Sequence, residues 1–111
     1  MIITKRKIGN CIILDCRGGF TLGPELTQIR NAIYEASDHE IKKVILNLPD
    51  VDYIDSSGLG VLVSGHTHLS NLGIKLVLLN VTERVRKTLA ITKLEKIFDV
   101  FADERHALAE C

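Results

Sequence analysis

The chain has 111 residues, 46% of them hydrophobic and 25% charged, the profile of one globular domain over 1–111 rather than of a disordered segment. Fourteen basic and fourteen acidic residues cancel, so no global field draws the chain to nucleic acid or to an anionic membrane surface. No uninterrupted apolar run approaches the ~20 residues that span a bilayer, and neither direct nucleic-acid binding nor membrane insertion is expected.

Two apolar stretches open the chain, Met1-Ile2-Ile3 and Cys11-Ile12-Ile13-Leu14, with Gly9-Asn10 between them. Gly-Asn suits a two-residue hairpin turn, which predicts an antiparallel pair. Lys5-Arg6-Lys7 follows the apolar residues instead of preceding them. That is unlike a secretory leader, and the expected compartment is the cytoplasm.

Gly18-Gly19-Phe20-Thr21-Leu22-Gly23 reads as a loop of permissive backbone, and Pro24 suits the first position of a helix because its missing N–H would have been unpaired anyway. Leu26, Ile29, Ala32, Ile33 and Ala36 then recur at helical spacing, predicting a surface helix with one buried stripe that Asp38-His39-Glu40 ends. Val44 through Leu48 is a near-continuous apolar strand, of the kind covered on both faces.

A polar crossing with Asp50, Asp52 and Asp55 leads to a helix beginning at Ser56, with Leu59, Leu62, Val63, His66 and Leu69 on one side. Gly58, Gly60 and Gly65 each cost that helix about 1 kcal/mol relative to alanine. Small residues at that cost imply a close approach to the backbone near the helix start. Gly73 is a fitting C-terminal cap.

Lys75 to Leu79 is the next buried strand, and Thr82-Glu83 caps a helix that buries Val85, Leu89 and Ile91 or Thr92. Lys93 to Lys96 forms a turn, Ile97 to Phe101 a short final strand, and Asp103 starts a last helix running through Leu108. Alternating strands and helices with short links predict an α/β fold: a mixed, mostly parallel sheet with an opening hairpin, packed against helices.

The three cysteines show no C-x-x-C spacing. Cys11 and Cys16, five positions apart, point to opposite faces of one strand and do not pair with each other. Cys111 is the last residue and is expected to be mobile. All three read as buried or idle thiols in a reducing compartment, with a redox switch as the alternative.

The chemistry concentrates at Asp55-Ser56-Ser57. Asp and Ser are the preferred N-cap residues, and a cap alone would account for the tripeptide. The context adds to this: two hydroxyls, then Gly-Leu-Gly, immediately after a crossing with three carboxylates. A serine there lies beside unpartnered backbone N–H groups at the positive end of the helix dipole, a place that tolerates a phosphate.

Competing chemistries fit less well. No glycine lies two residues before either serine, so the turn is not the G-x-S-x-G of a hydrolase. His66 and His68 lie two to three helical turns from Ser56, at about 1.5 Å per residue, too far to act as its base. His66 and His68 also point to nearly opposite sides of their helix, and His39 and His106 stand alone, so no metal site is expected. Neither phosphate-binding glycine motif is present, and no cofactor or catalytic residue is expected. A receiver-type aspartate acceptor would need an acidic pair after its first strand, where this chain has Asp15 and then Cys16-Arg17-Gly18-Gly19.

Across essentially its whole length the sequence resembles the STAS domain of bacterial anti-sigma-factor antagonists. The resemblance is carried by Val44-Ile45-Leu46-Asn47-Leu48, by Val51-Asp52-Tyr53-Ile54-Asp55-Ser56-Ser57-Gly58-Leu59-Gly60, by the small-residue helix, and by Leu76-Val77-Leu78 and the segment 85–94. It implies a STAS-type fold and a non-enzymatic switch. In that family the unphosphorylated antagonist binds an anti-sigma factor that is also an ATP-dependent serine kinase, which releases the sigma factor. The kinase ends the interaction by phosphorylating the first serine of D-S-S-G, and a metal-dependent serine phosphatase restores it. The matching acceptor is Ser56, with Ser57 as the alternative. Thr21, Ile54, Asp55, Leu59 and Gly60 fall, with the serines, on the implied partner surface. Typical members carry an acidic residue where this chain has Thr21. A STAS subunit of a membrane transport or scaffolding complex, acting as an interaction module, is the other reading the resemblance allows.

Overall fold

In a computed structural model the described residues are 1–18 and 24–111. Thr21 and most of the predicted glycine-rich loop lie outside them.

Strands β1 (Ile2–Ile8) and β2 (Cys11–Arg17) pair antiparallel with Ile8 opposite Cys11. The two-residue turn needs a left-handed first residue, and Gly9 supplies it at φ +58°. Both strands run further than the apolar residues alone mark: Lys5, half-buried Arg6 and Lys7 continue β1 as a charged edge, and Asp15, Cys16 and Arg17 continue β2.

Helix α1 (Pro24–Glu35) follows, then β3 (Lys43–Asn47), α2 (Ser56–Asn71), β4 (Lys75–Leu79), α3 (Glu83–Ile91), a 3₁₀ turn at Leu94–Lys96, β5 (Asp99–Phe101) and α4 (Glu104–Ala107). Among the described residues the sheet order is β1-β2-β3-β4-β5, with β2 through β5 mutually parallel. The predicted mixed sheet with an opening hairpin is the fold observed.

The period-two alternation of β2 divides it between two cores. Ile12, Leu14 and Cys16 face the larger one, with Ile29 and Ile33 of α1, Leu62 and Leu69 of α2, and Val85 and Leu89 of α3. Cys11 and Ile13 face a smaller one, with Ile45, Val77, Leu79 and Ala107. Burial on both sides is why β2, β3 and β4 read as continuous apolar runs.

Two expectations are corrected. Ile91 is 81% exposed, and Thr92 is exposed too. Val85 and Leu89, four apart, already define the inward stripe of α3, and two further residues rotate Ile91 to the far side.

Near the start of α2, Gly58 is buried, and a close approach to the helix backbone is seen at mid-helix. A Cβ at Gly60 would meet nothing within 4 Å, whereas one at Gly65 would lie 3.1 Å from two side-chain carbons of Ile33. Gly65 is where α1 crosses over α2.

Cys11 and Cys111 are not idle thiols. They form a disulfide across a sequence separation of 100, with Cα atoms 5.6 Å apart, and Cys16 alone is free and buried. The pairing arises because the turn after α4 returns residue 111 to the start of β2, beside Gly9. Burial pushes the Cys16 thiol up to about 12, which keeps it protonated.

Candidate functional site

The crossing from β3 to α2 is pinned from beneath. Val51 is 0% and Ile54 2% exposed, so two apolar plugs hold a short polar segment against the core. The Thr82 hydroxyl, which caps α3, donates to the Val51 carbonyl at 3.2 Å. The start of α3 is thereby fixed beside the crossing.

Asp55 is the N-cap of α2. Its backbone is extended (φ −91°, ψ −175°) and its carboxylate accepts the Gly58 N–H at 2.9 Å, an arrangement typical of a helix start. Its carbonyl accepts the Leu59 N–H at 2.9 Å. Ser56 and Ser57 are the first two helical residues, and both are exposed. With Asp55 serving as cap, their side chains are free of that task. Their backbone N–H groups belong to the first turn, which has no intrahelical acceptor for them. Leu59 is half-buried and Gly60 exposed, completing a small open surface around the helix mouth.

Of the residues singled out in the sequence, Asp55, Ser56, Ser57, Leu59 and Gly60 come together here. Ile54 is present in a different capacity: its side chain faces the core, so it positions the surface rather than presenting itself. Thr21 lies outside the described residues.

Two of the three carboxylates of the crossing are balanced individually. Asp50 is 3.8 Å from Arg17 Nη1 and Asp52 is 3.5 Å from Arg84 Nη1. The Arg84 guanidinium also lies 5.1 Å from the ring centroid of Tyr53, which is 53% exposed, within range of a cation–π contact. Sequence reading missed Arg17, Arg84 and Tyr53 as members of this surface. Asp52 and Arg84 are 32 positions apart, and no local pattern connects them.

The histidines lie on separate contacts. His68 stacks on Tyr34 of α1 with centroids 4.0 Å apart, and His66 meets Phe98 edge-on at 5.6 Å. Among the described residues no three His, Cys, Asp or Glu side chains gather in a way that could hold a metal ion. No described helix is long and apolar enough to cross a membrane.

The model of the STAS domain family matches residues 3–107. The chain belongs to the STAS domain family. Over 68 residues it is 38% identical to a Thermotoga neapolitana protein whose name places it with anti-sigma factor antagonists, and the match covers 61% of this chain and 60% of that protein. The chain thus spans about three fifths of the length of that relative. It is 31% identical over 77 residues to the anti-sigma-B factor antagonist of Staphylococcus epidermidis, covering 69% of this chain and 68% of the relative.

Solved structures agree on the fold. A Thermotoga maritima protein superimposes with a TM-score of 0.83 at 22% identity, over 97% of this chain and 92% of that one. The phosphorylated form of the Bacillus cell fate determinant SpoIIAA superimposes with a TM-score of 0.72 at 21% identity, over 96% of both chains.

Proposed function

We propose that this STAS domain is an anti-sigma-factor antagonist controlled by phosphorylation of Ser56. One observation carries the reading: the Ser56 hydroxyl sits exposed on the first residue of α2 while Asp55 alone does the capping. The names of the relatives supply the partner class, an anti-sigma factor. The finer reading gives that partner ATP-dependent serine kinase activity, adds an opposing serine phosphatase, and places the exchange in the cytoplasm.

The chemistry of the switch follows from charge. A phosphate on Ser56 adds close to two negative charges at neutral pH, and first-turn amides and the helix dipole can accept them without refolding. The same charge arrives beside Asp50, Asp52 and Asp55, of which the first two already have Arg17 and Arg84 as counter-ions. The fold is retained while the surface turns anionic, so a partner docked there is expelled. The chain itself catalyses nothing in this scheme.

Incubation with the cognate anti-sigma kinase and ATP, followed by peptide mapping by mass spectrometry, tests the assignment. Phosphate on Ser56 is expected, and modification only outside the Ser56–Ser57 pair would overturn it.

A further inference from the structure

The second face of the sheet is closed differently from the first. Helices α1, α2 and α3 cover the larger core. Among the described residues the smaller core is covered by the segment 104–111, which lays Ala107, Leu108 and Cys111 over Ile13, Ile45, Val77 and Leu79, with Phe101 of β5 beside them. Helix α4 has four residues, far below the length at which a helix holds itself together.

What retains this segment is a set of peripheral bonds and one covalent bond. Lys43 Nζ donates to the Ala107 and Ala109 carbonyls at 3.0 and 3.1 Å. Arg6, itself held by Asp15, donates to Glu104 at 2.6 Å, and both residues are half-buried. Each such bond contributes only about 1 kcal/mol net. Cys111 is joined to Cys11 of β2, and its carbonyl fills the space above Gly9, where a Cβ would lie 2.7 Å from the oxygen. The turn is shaped to receive residue 111.

We propose that the Cys11–Cys111 disulfide is a redox-operated latch, which holds segment 104–111 on the second face of the sheet when oxidised and frees it when reduced. Release uncovers Ile13, Ile45, Val77 and Leu79 while leaving the larger core intact, so the opening is local.

The two sulfurs differ in access: Cys11 is 1% exposed and Cys111 is half-buried. A dithiol reductant therefore attacks Cys111 Sγ. The S–S bond breaks, the electron pair leaves on Cys11 Sγ, and that sulfur takes up a proton. The second thiol of the reductant then displaces Cys111, giving two protein thiols and the cyclic disulfide of the reductant. Cys16 does not intercept, because the alternation of β2 places it in the other core. Cross-links in reducing compartments are typically transient and redox-sensing; regulation in the cell rests on the proposed cytoplasmic setting, whereas the latch itself does not.

Hydrogen exchange on the full chain tests the latch without a kinase or Ser56, so its failure is separate from failure of the proposed function. After oxidation with glutathione disulfide and unfolding, the chain should show one reactive thiol, rising to three after dithiothreitol. Reduction should speed exchange across 104–111 by about tenfold or more and leave Ser56–Asn71 unchanged. Cys111→Ser should show the fast pattern without reductant. Three thiols after oxidation, or unaltered protection of 104–111 in both the reduced chain and the variant, would overturn the proposal.

Discussion

The Asp55 carboxylate accepts the Gly58 N–H at 2.9 Å, and the next residue, Ser56, is thereby left exposed with no capping duty. Structural and regulatory tasks are divided between neighbours. Removing one should leave the other. Asp55→Ala should destabilise the domain by about 1 kcal/mol and lower its melting temperature by about 4 °C. Asp55→Asn, which keeps an acceptor, should recover most of that loss in the same thermal scan.

Ser56 is expected to show the complementary pattern. Ser56→Ala and Ser56→Asp should both melt close to wild type, because the side chain is exposed and makes no cap. Calorimetry with the anti-sigma factor should show Ser56→Ala binding normally and Ser56→Asp binding at least about tenfold more weakly, since a misplaced like charge at an interface is costly. Equal affinity of the aspartate variant would mean that charge is not the switch.

Arg84 makes two contacts, with Asp52 and with the Tyr53 ring, while Asp52 makes one of them. The Asp52 and Arg84 side chains are 79% and 64% exposed, so the ion pair should be worth less than about 1 kcal/mol in a double-mutant cycle. Arg84→Ala should cost about 0.5–1 kcal/mol more than Asp52→Ala, the part contributed by the aromatic ring. Urea unfolding of the two single variants and the double variant measures both quantities.

The glycines of α2 should separate in the same assay. Gly60→Ala adds a methyl in open space and should stabilise the helix by about 0.5–1 kcal/mol. Gly65→Val forces methyls into Ile33 and should destabilise by about 1–3 kcal/mol. A stabilising Gly65→Val would show that α1 and α2 do not pack as described.

Acid sensitivity should trace partly to Asp15. Hydrogen bonds from Arg6, at 2.6 and 3.0 Å, and from Asn47 at 2.7 Å hold its carboxyl below the 3.8 of a free side chain. The folded state therefore binds this proton less readily than the unfolded chain does. Its contribution is fully present above about pH 4 and is lost as pH falls through the lower folded value. Asp15→Asn should flatten that part of the stability curve, measured by urea unfolding across the acid range.

Much of the architecture was legible in the residues. The period-3.6 stripe from Leu26 to Ala36, the apolar runs at 44–48 and 75–79, the Gly9-Asn10 turn and the Asp55 cap are local signals. Each describes how a few consecutive residues satisfy backbone bonds and bury one face. Asp-Ser-Ser-Gly-Leu-Gly marked the helix mouth for the same reason.

Tertiary structure alone decided which distant groups meet. Local patterning could not show that residue 111 returns to Cys11, that Arg17 and Arg84 neutralise Asp50 and Asp52, or that Gly65 rather than Gly60 lies under Ile33. Those pairings depend on strand order and register, which are properties of how whole elements stack. A backbone pattern repeats within a few residues and can be read along the chain. A contact between side chains far apart in sequence exists only once the layers between them are packed.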